Sequence, residues 1–215
     1  STKELNLAFD AVVFHDQPAL VSPARAGFAR MFPGADGQLC NTFFMHFIVE
    51  FKFIEGHVLL HDPGRYEPGE DAVVLPMRLN ESGTHAVPFS ITLNDGRTFD
   101  DWADIDFGGI YAFKIALNNK NAIPLPVNAK PASSFGAQGR ETEYRGEIAS
   151  MALGGFTFNR PVVYFGDETT SRIHPENLGV IGLPMFMKFD TVFDYFNKRL
   201  ILTPNRNFDG IVEAS

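Results

Sequence analysis

The feature that most constrains the fold is an internal repeat in which two segments match at one constant offset. One segment begins at Gly37 and the other at Gly179, and they align without a gap. The identical pairs are Gly37/Gly179, Phe44/Phe186, Met45/Met187, Phe47/Phe189, Phe51/Phe193 and Leu60/Leu202. Upstream, Phe9–Phe14 is similar to Phe158–Tyr164 at a different offset. Either two structural units of one kind are present, which we favour, or Phe-rich strands match by chance.

Composition excludes several classes of function. The 215 residues carry a formal net charge of −8 and no basic run, so neither a nucleic acid nor a membrane is expected as a partner. The 22 Phe residues predict a core or groove rich in aromatic rings. Cys40 is the single cysteine, and the six His residues show no ligand spacing, so we expect no metal and no cofactor.

Short strand patterns predominate, and the fold is therefore predicted to be mainly β with short helices. The strand-like segments are 72–79, 87–93, 98–106, 162–165 and 200–202. Asn94-Asp95-Gly96 is a strong hairpin-turn signal between two of them. Short helices are predicted at Pro23–Met31 and Leu183–Phe189, and a loop region runs from about Asn118 to Gly139. The first residues show no signal peptide and no segment is long enough for a membrane helix; the compartment stays open, with a secreted or periplasmic location favoured.

The second copy carries a series of motifs in a distinctive order. They are the hairpin Val87–Asp106, Asp106-Phe107-Gly108-Gly109, Leu153-Gly154-Gly155, Val180-Ile181-Gly182, the helix Leu183–Phe189 and the closing hairpin Thr191–Leu202. This series resembles the retropepsin-like aspartic peptidases, the single-lobe relatives of pepsin. The resemblance implies acid-protease β-barrel lobes. Residues 1–63 would then be the C-terminal half of a first lobe, 64–71 a linker and 72–215 a second lobe.

The resemblance also implies roles for individual residues. Asp106 would be one of two catalytic carboxylates, one from each lobe, that share a proton because like charges so close cannot both ionise. Asp104 lies two residues earlier on the same strand face and is a candidate second acid. A further group is expected at the substrate: Phe107, Gly108 and Gly109 in the active loop, with Gly136, Gly139 and Tyr144 in a mobile flap over residues 134–146.

Two departures from the family pattern limit this interpretation. Phe107 stands where the family has Thr or Ser, so the hydrogen bonds that join the two active loops are lost or replaced by ring packing. The matching loop of the first copy falls ahead of Ser1. The missing half-lobe would be a partner chain from a cleaved precursor, which we favour, a part lost by trimming, or a second copy in a homodimer. The leading function is an aspartic peptidase; the alternative is a non-peptidase enzyme or a ligand-binding protein with a Phe-rich cleft.

Overall fold

The computed structural model describes residues 2–9, 12–20, 34–80, 83–117, 123–136, 139–166 and 177–212. The predicted helix Pro23–Met31 lies outside these ranges. Strands dominate the described residues, so the predicted mainly β class is confirmed. No helix among the described residues is long and apolar enough to cross a membrane.

The bounds of the elements are as follows. The strands are β1 (Thr2–Phe9), β2 (Val12–Leu20), β3 (Ile48–Lys52), β4 (His57–His61), β5 (Val73–Pro76), β6 (Arg78–Leu79), β7 (His85–Thr92), β8 (Thr98–Asp106), β9 (Phe113–Ala116), β10 (Lys130–Gly136), β11 (Gly139–Glu147), β12 (Ser150–Leu153), β13 (Phe156–Asn159), β14 (Val162–Gly166), β15 (Gly179–Gly182), β16 (Phe189–Asp194), β17 (Arg199–Pro204) and β18 (Ile211–Val212). Within the described ranges there are two helices of one turn each, α1 (Asn41–Phe44) and α2 (Leu183–Phe186).

The chain divides into two compact units. One contains residues 1–46 and 135–139, and the other contains residues 47–134 and 140–215. In the first unit, β1 and β2 form an antiparallel hairpin, and the rings of Phe9 and Phe14 pack on Phe43 of α1. The predicted lobe boundaries at residues 63 and 72 came from the sequence repeat, whereas these units are defined by compactness. The predicted boundaries therefore stay a prediction.

The second unit is built on two sheets. The larger has the strand order β10-β11-β14-β9-β15-β8-β7-β12-β13-β18, with β6 also paired to β7, and the smaller has the order β4-β3-β16-β17-β5. In the larger sheet β15 pairs in parallel with β8 and antiparallel with β9. This central strand brings Gly182 opposite Asp106, the last residue of β8.

Every element implied by the motif series is present in the predicted order between residues 85 and 204. The hairpin β7–β8 turns at Asn94–Gly96, where Gly96 has a φ of 86°. Gly154 and Gly155 both have positive φ, at 60° and 81°, and join β12 to β13 by the tight turn that such a pair permits. The closing hairpin β16–β17 turns at Lys198, also with positive φ.

Two local predictions need correction. The region predicted as loop contains strand β10, because its backbone pairs with β11 although its Pro, Ala and Ser residues have little strand preference. The predicted helix Leu183–Phe189 ends at Phe186, since Phe189 begins β16 and is fully buried. In both cases tertiary pairing outweighs the local pattern.

The two matched segments have the same local geometry at the offset that separates Gly37 from Gly179. Helices α1 and α2 correspond residue for residue, and the hairpins β3–β4 and β16–β17 have the same register, with Val49 opposite Leu60 and Thr191 opposite Leu202. Strands β3 and β16 also pair with each other, with Glu50 opposite Val192. Because Glu50 and Val192 occupy corresponding positions in the two segments, the pairing is symmetric about them.

The closing hairpin contains a buried carboxylate, that of Asp194, whose contribution to stability can be tested. Its carboxylate is fully buried and accepts hydrogen bonds from the Asn197 backbone N–H at 3.0 Å and side chain at 2.8 Å, and from Arg199 Nε at 2.6 Å. Burial alone would raise the pKa of Asp194, but these hydrogen bonds outweigh it and hold the pKa below its ordinary value of 3.8.

We expect Asp194→Asn to lower the free energy of unfolding by about 2 kcal/mol at pH 7, because Arg199 loses its buried partner. Denaturant unfolding at several pH values measures this. The difference from wild type is complete above pH 3.8 and shrinks as the pH falls through the lowered pKa of Asp194. Asp209→Asn is the control, since Asp209 is an exposed partner of Lys188 and its loss costs under about 0.5 kcal/mol. Equal losses in both variants would contradict the assignment.

Candidate active site

The active loop, residues 106–109, begins where β8 ends. Asp106 is exposed, and its Oδ1 accepts a hydrogen bond of 2.8 Å from the Gly108 backbone N–H. The Gly109 N–H donates to the Asp106 carbonyl, and the Leu183 N–H donates to the Gly109 carbonyl. The loop is thereby tied to the end of β15, and the carboxylate of Asp106 is oriented at its surface.

Glycine is required in this loop by close packing. A Cβ on Gly109 would lie 2.9 Å from Tyr111 Cζ and 3.2 Å from the Gly182 Cα, closer than side chains tolerate. Gly108 is exposed and Gly109 is buried. The backbone N–H of Gly108 orients the carboxylate of Asp106, whereas the absence of a side chain at Gly109 leaves space for the ring of Tyr111.

Tyr111 connects the active loop to a buried ion pair. Its hydroxyl donates to Asp106 Oδ2 at 3.4 Å, a long hydrogen bond. Its ring lies 4.7 Å from Lys114 Nζ, a cation–π distance. Lys114 Nζ lies 2.9 Å from Glu143 Oε2, and both side chains are at most 6% exposed. A buried ion pair therefore lies beside the ring whose hydroxyl contacts Asp106.

Phe107 has its ring in an aromatic cluster. Its centroid is 4.9 Å from that of Phe51, 5.1 Å from Phe186, 5.3 Å from Phe193 and 6.1 Å from Phe53. Ring packing of this kind joins the active loop to β3, α2 and β16 in place of the hydroxyl hydrogen bonds expected from the family pattern.

Asp104 lies below the surface that exposes Asp106. It is fully buried, and its Oδ1 accepts hydrogen bonds from the amides of Asn80, at 2.7 Å, and Asn177. Asn177 in turn accepts a hydrogen bond of 2.8 Å from Arg78. These contacts favour a carboxylate that anchors β8, and its role as a catalytic acid stays a prediction.

The predicted flap corresponds to the hairpin β10–β11. Gly136 ends β10 and Gly139 begins β11, on either side of residues 137–138, which lie outside the described ranges. Tyr144 lies farther along β11, opposite Phe165 of β14, and is 37% exposed. The roles of these three residues at a substrate stay predictions.

No sequence motif pointed to Tyr111, Lys114 or Glu143. Tyr111 falls outside the quoted motif, and Glu143 is one of several charged residues in its segment. Lys114 offered the one usable signal, because it interrupts the apolar strand Phe113–Ala116, all four residues of which are buried. A lysine in such a strand requires a buried partner.

The described residues contain a groove away from this site. Its volume is about 510 Å³, and it lies beside the turn of the β7–β8 hairpin, between Leu93–Arg97 and Pro124–Asn128. No residue of the active loop lines it. No group of three or more His, Cys, Asp or Glu side chains in the described ranges is arranged to hold a metal ion.

Comparison with solved structures finds chains that align with this one at low sequence identity. A retropepsin-like aspartic protease from Rickettsia conorii aligns over 63% of this chain and 100% of its own, with 15% identity and a TM-score of 0.40. The structure of edgp aligns over 66% of this chain and 48% of its own, with 9% identity and a TM-score of 0.35. No family model matches the chain, and no curated protein matches it. Similarity at this level concerns the fold and carries no information about activity.

We expect Phe107→Ala to lower the free energy of unfolding by about 2 kcal/mol, because a half-buried ring with four aromatic neighbours is removed. Urea unfolding measures the change. Phe196→Ala is the matched control, since Phe196 is 54% exposed, and it should change stability by less than about 0.5 kcal/mol. If the two variants were equally stable, ring packing would not hold the active loop.

Proposed function

We propose that this protein is an aspartic-type hydrolase of peptide bonds, with Asp106 as one of its two catalytic carboxylates. The observation that carries the proposal is the active loop. An exposed carboxylate stands at the end of a central strand, and each of its oxygens accepts a hydrogen bond, from Gly108 and from Tyr111. The backbone around it is held by β15.

The chemistry requires a second carboxylate facing Asp106. One of the pair, ionised, takes a proton from a water molecule, while the other, protonated, donates to the carbonyl oxygen of the peptide. Asp104 is buried in an amide network, and these contacts favour another source for the second carboxylate. We propose that the second aspartate comes from a segment that completes the first lobe, either on a partner chain or N-terminal to these residues, with a second copy of this chain as the alternative source.

The geometry of the matched segments supports this repeat. The helix of the first copy matches that of the second in length and bounds, and the two hairpins share one register. Upstream of them the two copies differ. Strands β1 and β2 pair with each other, whereas β13 and β14 pair with β12, β18, β9 and β11. The first copy has no counterparts of those partner strands among the described residues.

Tyr111 is proposed to position Asp106 rather than to react. Its hydroxyl holds one carboxylate oxygen, and the Lys114–Glu143 ion pair lies behind its ring. Because Asp106 is exposed, this contact adds to that of the Gly108 N–H in restricting the side chain.

Asp106→Asn tests the reaction class. In the complete assembly, the variant should lose at least about 100-fold in cleavage of a peptide library between pH 3 and pH 7, because Asn cannot transfer the proton. Mass spectrometry of the products measures cleavage. Asp100→Asn is the matched control, an exposed aspartate on the same strand. A wild type that cleaves nothing, or an Asp106→Asn variant with full activity, would overturn the peptidase proposal.

Tyr111→Phe tests the positioning role. We expect kcat to fall by about tenfold with KM unchanged, because the lost hydroxyl orients Asp106 but contacts no substrate. Steady-state kinetics on one cleaved peptide measures both constants. Tyr164→Phe serves as control, because its ring centroid lies 6.2 Å from that of Tyr111 and it belongs to the same surface. Equal effects in the two variants would assign Tyr111 a structural role only.

A non-peptidase enzyme or a ligand-binding protein on the same fold is the second candidate. The aromatic cluster favours it, since the rings of Phe51, Phe53 and Phe107 are only partly buried. An assembly that cleaves no peptide but binds an apolar fluorescent dye, with weaker binding in Phe53→Ala, would favour this candidate over the first.

A further inference from the structure

The ion pair between Lys114 and Glu143 lies in an apolar part of the larger sheet. Lys114 belongs to β9, whose other three residues are completely buried, and its Nζ lies 2.9 Å from Glu143 Oε2. The side chain of Lys114 is 6% exposed and that of Glu143 is 1% exposed. Neither oxygen of Glu143 accepts a hydrogen bond from the described residues. Within those ranges Lys114 therefore supplies positive charge that compensates for the burial of this carboxylate.

Stability alone does not account for such a pair. Taking two charges out of water costs free energy, and one contact of 2.9 Å offsets this cost only in part when the carboxylate accepts no further hydrogen bonds from the described residues. Apolar side chains of similar volume often fill such a site with equal or greater stability. The pair therefore calls for a role that charges perform and apolar residues do not.

The charge of Lys114 is directed at the ring of Tyr111. The distance from Nζ to the ring centroid is 4.7 Å, and the hydroxyl of the same ring donates to Asp106 Oδ2 at 3.4 Å. A cation at the face of a phenol holds the ring and draws electron density from it, which makes the O–H a stronger donor. The backbone of the lysine is fixed, because Lys114 lies opposite Tyr164 in β14 and opposite Val180 in β15.

We propose that the buried ion pair positions Asp106, which it reaches through Tyr111. Lys114 holds the ring of Tyr111 where the hydroxyl meets the carboxylate, and Glu143 holds Lys114 against that ring. The three contacts form one chain from β11 to the active loop, at 2.9, 4.7 and 3.4 Å. This inference rests on the proposed function for the part that Asp106 plays in the reaction, but the chain of contacts is observable without catalysis.

The NMR signals of the Tyr111 ring, in protein with isotopically labelled tyrosine, provide the first test. In the wild-type background, Asp106→Asn should shift these signals, because it changes the acceptor of the hydroxyl. The paired variant Lys114→Met with Glu143→Leu replaces both charges by apolar side chains and should unfold in urea at no lower a midpoint than wild type. In that background the same Asp106→Asn change should shift the Tyr111 signals less than about half as far, because the ring is no longer held.

Steady-state kinetics on one cleaved peptide provide the second test. The paired variant should lose about tenfold in kcat with KM unchanged, because it removes the support of a group that contacts no substrate. Lys188→Met is the matched control, since Lys188 Nζ also pairs with a carboxylate, that of Asp209 at 2.5 Å, and lies 5.7 Å from the centroid of a ring, that of Phe158. Its replacement should change neither kcat nor the Tyr111 signals.

An undiminished Tyr111 response together with full kcat in the paired variant would overturn the proposal. So would an equal fall of kcat in Lys188→Met, because loss of any ion pair would then have the same effect. A urea midpoint of the paired variant well below that of wild type would also overturn it, since the pair would then serve stability. A weakened Tyr111 response in an assembly that cleaves no peptide would uphold the chain of contacts while the peptidase proposal fails.

Discussion

The close approach of three backbones at β15 is the constraint on which the site depends. This strand lies between β8 and β9, and a Cβ on Gly179 or Gly182 would overlap the carbonyl oxygen of Lys114 or Tyr111. Only glycine permits this spacing. The pairing of Gly182 with Asp106 follows from it, and so does the position of the active loop at the surface.

Aromatic packing holds the active loop at Phe107. Phe107 contacts Phe51 and Phe193, which occupy matched positions in the two segments. The active loop therefore packs against both matched segments. Because rings pack without directional hydrogen bonds, this support does not depend on a polar partner.

Similar sequences lie in unequal surroundings in the two copies. The second copy has a complete set of neighbouring strands and a buried hairpin, whereas the hairpin of the first exposes apolar residues. On the same sheet, Lys52 binds Glu50 at 3.0 Å and Asp190 at 2.7 Å, an ion-pair group that joins the two copies. The two segments share their hairpin register and differ in how far neighbouring residues bury their side chains.

The sequence by itself determined the strand class, the turns and the order of elements, because glycine and Asn-Asp-Gly signals act through local backbone preferences. It also singled out Asp106 as a candidate catalytic carboxylate, and it contained the constant offset between the two matched segments. Only the tertiary structure decided that Asp104 is buried among amides, that β10 is a strand, and that Tyr111, Lys114 and Glu143 lie behind Asp106. These contacts join residues far apart in the chain, and no local pattern encodes which strands lie side by side.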